Sequence, residues 1–155
     1  MKRIILIALI LAVFAGGIGF AAHNGFSIGA AFYFGWAESA TAQGAALCLK
    51  FPTVPIMFGF SAVFGTPLII GITADWWLFQ THLVGPVDLY IGPGLFLRID
   101  TGWAQPYFGI RIPVGFQIFI VKAFEIFLEP ALAIQIVPNF PQFGLQASIG
   151  FRFWF

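Results

Sequence analysis

The sequence predicts an all-β fold: eight antiparallel strands closed into a transmembrane up-and-down barrel, preceded by a cleavable signal peptide. Three observations predict it. The 155 residues are 60% hydrophobic and 19% aromatic but only 8% charged, against about 25% charged in an ordinary soluble domain. Hydrophobicity alternates with a period of two through eight segments, and the few charges keep to one phase of that alternation. This composition excludes a cytosolic enzyme, a disordered tail and a nucleic-acid binder that works through basic charge.

The amino-terminal segment is set apart first. Lys2 and Arg3 are followed by an apolar run from Ile4 to Phe14 and by small residues at Gly16, Gly17, Gly19, Ala21 and Ala22. This is the layout of a secretory signal peptide. Cleavage after Ala21 puts Gly19 and Ala21 at the two positions that must be small, so residues 1–21 are read as signal and 22–155 as barrel. The alternative is an uncleaved anchor. Without Lys2 and Arg3, 5 basic residues face 6 acidic ones, a net charge of −1 in place of +1 for the whole chain. The single cysteine, Cys48, excludes an intrachain disulfide and any CxxC metal or redox motif.

Inside a bilayer only helices and closed barrels satisfy their backbone hydrogen bonds. Two charge-free windows, Phe51 to Ala74 and Pro130 to Phe151, have the length of a spanning helix. Pro52, Pro55 and Pro67 break the first, and Pro130, Pro138 and Pro141 break the second. The period-2 reading has no such conflict.

Strand one, Phe26 to Trp36, sets Phe26, Ile28, Phe32, Phe34 and Trp36 against Ser27, Gly29, Tyr33 and Gly35. Strand two, Ala46 to Phe51, sets Leu47, Leu49 and Phe51 against Ala46, Cys48 and Lys50. Strand three, Ile56 to Gly65, sets Ile56, Phe58, Phe60 and Phe64 against Gly59, Ser61 and Gly65. Strand four, Leu68 to Trp77, sets Leu68, Ile70, Ile72 and Trp76 against Gly71, Thr73, Asp75 and Trp77. In strand five Val87, Leu89, Ile91, Leu95, Leu97 and Ile99 oppose Asp88, Tyr90, Arg98 and Asp100. In strand six Phe108, Ile110, Ile112, Val114, Phe116 and Ile118 oppose Tyr107, Arg111 and Gln117. In strand seven Phe124, Ile126, Leu128, Leu132 and Ile134 oppose Glu125, Phe127, Glu129 and Gln135. In strand eight Leu145, Ile149, Phe151, Phe153 and Phe155 oppose Gln146, Ser148, Arg152 and Trp154. Gly92-Pro93-Gly94 in strand five and Pro130 in strand seven predict a bulge or local break, because proline removes a ladder donor.

Charge placement tests these faces independently. Of the 11 charges after residue 21, 9 lie on the non-greasy phase: Lys50, Asp75, Asp88, Arg98, Asp100, Arg111, Glu125, Glu129 and Arg152. The other two, Glu38 and Lys122, fall in expected turns. A charge on the lipid face of a barrel costs roughly 2–4 kcal/mol at the midplane, so the greasy phase is the outside. Of the 18 glycines, 11 share the inward phase, where small residues leave room for Arg, Tyr and Gln in a narrow barrel.

The signal, the eight strands and the terminal Phe151-Arg152-Phe153-Trp154-Phe155 resemble small bacterial outer-membrane barrels of the OmpA and OmpX architectural class over residues 23–155. The segments Gly109 to Gly115 and Phe124 to Glu129 resemble short-looped spirochaete-type barrels. The resemblance implies an outer-membrane location, export by the secretion machinery, and recognition of Phe151, Phe153 and Phe155 by the barrel assembly machinery. Outer-membrane lipid is the expected surrounding, with no nucleic-acid partner and no cofactor or metal. Unlike the OmpA type, this chain has short outer loops: Glu38 to Gly44, Gly65 to Pro67, Thr101 to Gln105 and Val137 to Gln142. The inner turns are Pro52 to Pro55, Gln80 to Pro86 and Ile120 to Ala123.

The nine inward charges form the candidate site, with two readings. Either four bases and five acids pair across the lumen and fill it, or they line a narrow path for ions or small solutes. The near balance of signs favours filling. Catalysis has little to build on. His23 adjoins the cleavage site and His82 falls in an expected turn, so Ser27, Ser61 and Ser148 lack a base. Trp36, Trp76, Trp77, Trp103 and Trp154 lie near strand ends and are read as interfacial girdles. The sequence therefore predicts a non-enzymatic envelope-integrity barrel, with a narrow pore or a multi-helix inner-membrane protein as the alternatives.

Overall fold

The computed structural model describes residues 25–37, 40–64, 68–102 and 106–155. The signal segment 1–21 with its cleavage site, Glu38, the turn Gly65 to Pro67, and Trp103 lie outside them. Ten strands are present: β1 (Ser27–Ala37), β2 (Ala40–Lys50), β3 (Ile56–Val63), β4 (Ile69–Trp76), β5 (Phe79–Val84), β6 (Val87–Ile91), β7 (Gly94–Asp100), β8 (Tyr107–Val121), β9 (Phe124–Val137) and β10 (Gln142–Trp154). The described residues form no helix, which removes the multi-helix alternative.

The ten strands make eight staves. β4 pairs with β7 and β5 with β6, while β6 and β7 both pair with β8. One long hairpin thus supplies two staves, β4–β5 and β6–β7, each broken in the middle. The remaining neighbours pair antiparallel in chain order, and β1 closes the barrel on β10. Following register partners once around from Ser27 leads through Lys50, Met57, Asp75, Gly94, Arg111, Ala133 and Gly144 back to β1 at Ala37, a stagger of 10 residues. A stagger of ~33 Å against a girth of ~38 Å (eight spacings of ~4.8 Å) tilts the strands by about 40°. That is the geometry of a barrel whose interior is just filled by side chains.

The outward phase is apolar apart from a few residues such as Gln43 and Thr81: Phe32, Leu132 and Phe143 are 69%, 61% and 62% exposed, while Lys50, Glu125 and Arg152 on the inward phase are at most 1% exposed. Exposed phenylalanine beside buried arginine is the inverse of a soluble protein. A lipid solvent accounts for it.

Three expectations are corrected. Gln80 to Pro86 is not an inner turn: Gln80 to Val84 belong to β5, and the reversal is confined to Gly85 and Pro86, with Gly85 at φ 56°. The cause is a bulge. Asp75 pairs with Gly94 and Phe79 with Ile91, so Trp76, Trp77 and Leu78 oppose only Gly92 and Pro93. The extra residue reverses the parity of the stave, which hides β5 from a period-2 reading. The expected break at Gly92-Pro93-Gly94 is present, and the one at Pro130 is present on one side only: β9 runs through Pro130 and pairs it with Ala147 on β10, while its ladder to β8 is interrupted. Its missing N–H falls on the β8 seam, where the ladder skips from Pro113–Ala131 to Phe116–Leu128 without losing register. Finally, β2 starts at Ala40, so most of the expected loop Glu38 to Gly44 is strand, and Val137 and Gln142 likewise belong to strands.

Candidate functional site

Five of the nine inward charges form one buried ladder across four staves. Arg111 on β8 places Nε 3.2 Å from Asp75 Oδ1 and donates from Nη2 to Glu129 Oε1 at 2.6 Å. Its Nη1 donates to Gln146 Oε1 at 3.2 Å. Arg152 on β10 donates from Nη1 to Glu125 Oε1 at 2.6 Å and lies 3.7 Å from Glu129 Oε2. Register fixes these contacts, since Arg152 pairs directly with Glu125 and Ser148 with Glu129. Two guanidiniums thus serve three carboxylates in a site nearly free of bulk water. Breaking such a pair leaves an uncompensated buried charge.

Aromatic rings close the lumen at the end that holds both described termini. The Tyr90 hydroxyl donates to Glu129 Oε2 and accepts from Arg152 Nη2 at 3.1 Å, joining the ladder. Trp77 stacks on Tyr90 with centroids 4.2 Å apart, and Trp154 Nε1 donates to Glu125 Oε2 at 2.6 Å. Arg152 lies 3.5 Å from the centre of the Phe127 ring, and Lys50 Nζ lies 5.6 Å from that of Trp154. Trp77 and Trp154 are therefore lumen residues and not interfacial girdles. Trp77 keeps the inward phase of Asp75 and is 2% exposed. Two glycines make room for the plug. A Cβ on Gly115 would lie 1.8 Å from Tyr90 Cζ, and one on Gly94 would lie 2.0 Å from Asp75 Oδ1.

Toward the opposite end a crossbar spans the diameter. Arg98 Nη2 donates to the Tyr33 hydroxyl, from staves that face each other across the barrel. The guanidinium also lies 5.4 Å and 5.2 Å from the ring centres of Tyr33 and Phe96. Between crossbar and ladder lies a void of about 30 Å³, bordered by Cys48, Ser61, Thr73 and Ser148 among others. It has room for roughly two water molecules.

Asp88 and Asp100 do not join the ladder. Asp88 Oδ1 accepts from or pairs with His82 Nδ1 at 2.8 Å on the β5–β6 hairpin, with His82 64% exposed. Asp100 Oδ1 accepts the Gly102 N–H at 2.8 Å beyond β7. Tyr33, Tyr90, Phe127 and Gln146 complete the site, although a reading confined to charge does not select them. Their signal is inward parity combined with large size, facing glycines across the sheet. Among the described residues no group of His, Cys, Asp and Glu is arranged to hold a metal ion.

No family model matches the chain, and no curated protein matches it in sequence. Solved structures do match. Neisserial surface protein A aligns with TM-score 0.52 and 15% identity, over 84% of this chain and 96% of that one. The N-terminal β-barrel domain of Pseudomonas aeruginosa OprF gives 0.51 and 17%, over 84% and 98%. Ail, the attachment invasion locus protein of Yersinia pestis, gives 0.51 and 12%, over 84% and 97%. At these identities the likeness concerns the fold. This chain has the closed eight-stranded antiparallel architecture of the small outer-membrane barrels.

Proposed function

We propose that the protein is exported to the bacterial outer membrane and serves there as a sealed barrel with an envelope-integrity role, neither conducting solutes nor catalysing a reaction. One observation carries this reading: among the described residues the lumen is occupied by ion-paired and aromatic side chains, and the void between ladder and crossbar measures about 30 Å³. A continuous wet path would require Arg152 to leave two carboxylates and a tyrosine at once. Short connections support the same reading. Residues 138–141 alone join β9 to β10, too little chain for a broad recognition surface. Phe151, Phe153 and Phe155 are 42%, 44% and 78% exposed on the outward phase, available to the barrel assembly machinery. Planar-bilayer recording of residues 22–155 tests the proposal. Silence at all voltages is the expected outcome; stable single-channel steps would favour the narrow pore.

A further inference from the structure

The outer wall is not uniformly convex. A groove of about 500 Å³ crosses β8, β9 and β10; its wall is mostly apolar, formed by Ile110, Ile112, Leu132, Ile134, Phe143 and Leu145, with the inward residues Arg111, Ala133 and Gly144 at its floor. The six wall residues are outward residues, and Ile110, Leu132, Phe143 and Leu145 are 41%, 61%, 62% and 50% exposed. Two irregularities in the β8–β9 seam flank the groove. On one side the register shifts between Phe108–Val137 and Gly109–Gln135; on the other the ladder is interrupted beside Pro113 and Pro130. A bulge bends its strand and sharpens the local twist, so the wall between the two is locally concave.

We propose that this groove holds one acyl chain of a membrane lipid as an ordered ligand, an inference that rests on the membrane placement proposed above. The occupant follows from the chemistry and the size. No charged side chain lies on the outward phase beside the groove, which leaves a lipid headgroup or an acidic or basic peptide without a partner. A second copy of the chain would need roughly 800 Å² on each partner, far more than six side chains on three staves present. A flexible chain of methylenes fits a narrow apolar channel; hydrophobic transfer adds nothing there, because the surroundings are already lipid, and the gain is the dispersion contact that a chain lying along both walls of the groove makes.

Native mass spectrometry of the refolded chain released from nanodiscs tests the proposal. With dimyristoyl lipids, one lipid per barrel is expected to be retained equally for phosphatidylcholine and phosphatidylglycerol, and retention should fall at least fivefold with dihexanoyl lipid. Leu132→Trp, which fills the groove, should lower retention at least fivefold, whereas Ile72→Trp on a distant stave should not. Methyl-to-acyl nuclear Overhauser contacts in the unsubstituted protein provide a reading that needs no variant: the Ile110, Ile112 and Leu132 methyls should show stronger contacts than those of Ile70 and Ile72. No retained lipid, equal loss in both variants, headgroup selectivity, or a retained dimer would overturn the proposal. Heat-modifiable gel migration, run in parallel, separates a folded barrel with an empty groove from failure of the membrane reading itself.

Discussion

Arg152→Met is the most informative single substitution. Arg152 is 1% exposed, and its guanidinium contacts Glu125, Glu129 and the Tyr90 hydroxyl while lying over the Phe127 ring. Methionine fills much of the volume but returns no charge. Glu125, 0% exposed, then loses its guanidinium and keeps the Trp154 indole as a donor, and Glu129 keeps Arg111 and Tyr90. Removing one partner of a buried ion pair costs about 3–5 kcal/mol. The loss here should reach that range, because Glu125 is fully buried and its carboxylate loses the guanidinium that donates to it. Neutralising it as well, in Arg152→Met with Glu125→Gln, should restore about 2 kcal/mol, the upper part of the range for coupled neighbours. Urea unfolding in lipid vesicles, followed by tryptophan fluorescence, measures both values. A loss below about 1 kcal/mol for the single variant, or additive losses in the pair, would refute a buried and mutually dependent ladder.

Three further outcomes are expected. Gly115→Ala should cost about 1–3 kcal/mol in the same assay, because Tyr90 is fully buried against that position and cannot swing away; a neutral result would mean that the Tyr90 ring lies elsewhere. Ile72→Arg, on an outward position 42% exposed, should cost roughly 2–4 kcal/mol if the site lies at the bilayer midplane, and a cost near zero would place that face in water. Cys48, 7% exposed beside the internal void, should resist a bulky maleimide in the folded barrel and react on unfolding. Rapid labelling of the folded form would contradict a sealed lumen.

The stave count, the inward and outward faces and the placement of five ladder charges were legible because one physical rule sets them. In a wall one residue thick, parity decides the solvent, and a charge of the wrong parity is expensive. Parity says nothing about height along the barrel. Asp88 and Asp100 have the same parity as Asp75, yet they sit near the ends of their hairpins and pair with His82 and the Gly102 N–H. Parity also fails across a bulge, which is why β5 resembled a turn; Trp77 had the inward parity and was read as a girdle residue only from its place near a strand end. Pro130 interrupts the ladder to β8 and leaves the ladder to β10 whole, which its sequence position did not foretell. A missing donor matters only on the side where a hydrogen bond would form, and no local pattern reveals that side. Tyr33 and Arg98 meet across the full diameter, a pairing set by a stagger of 10 residues, which becomes visible only once the sheet is closed.

The most direct test of the whole account is far-UV circular dichroism of residues 22–155 refolded in detergent, paired with heated and unheated gel lanes. The account predicts a β spectrum and faster migration of the unheated sample, as for a compact barrel that resists the gel detergent until boiled. A helical spectrum, or identical migration with and without heating, would contradict the closed barrel and, with it, the sealed lumen.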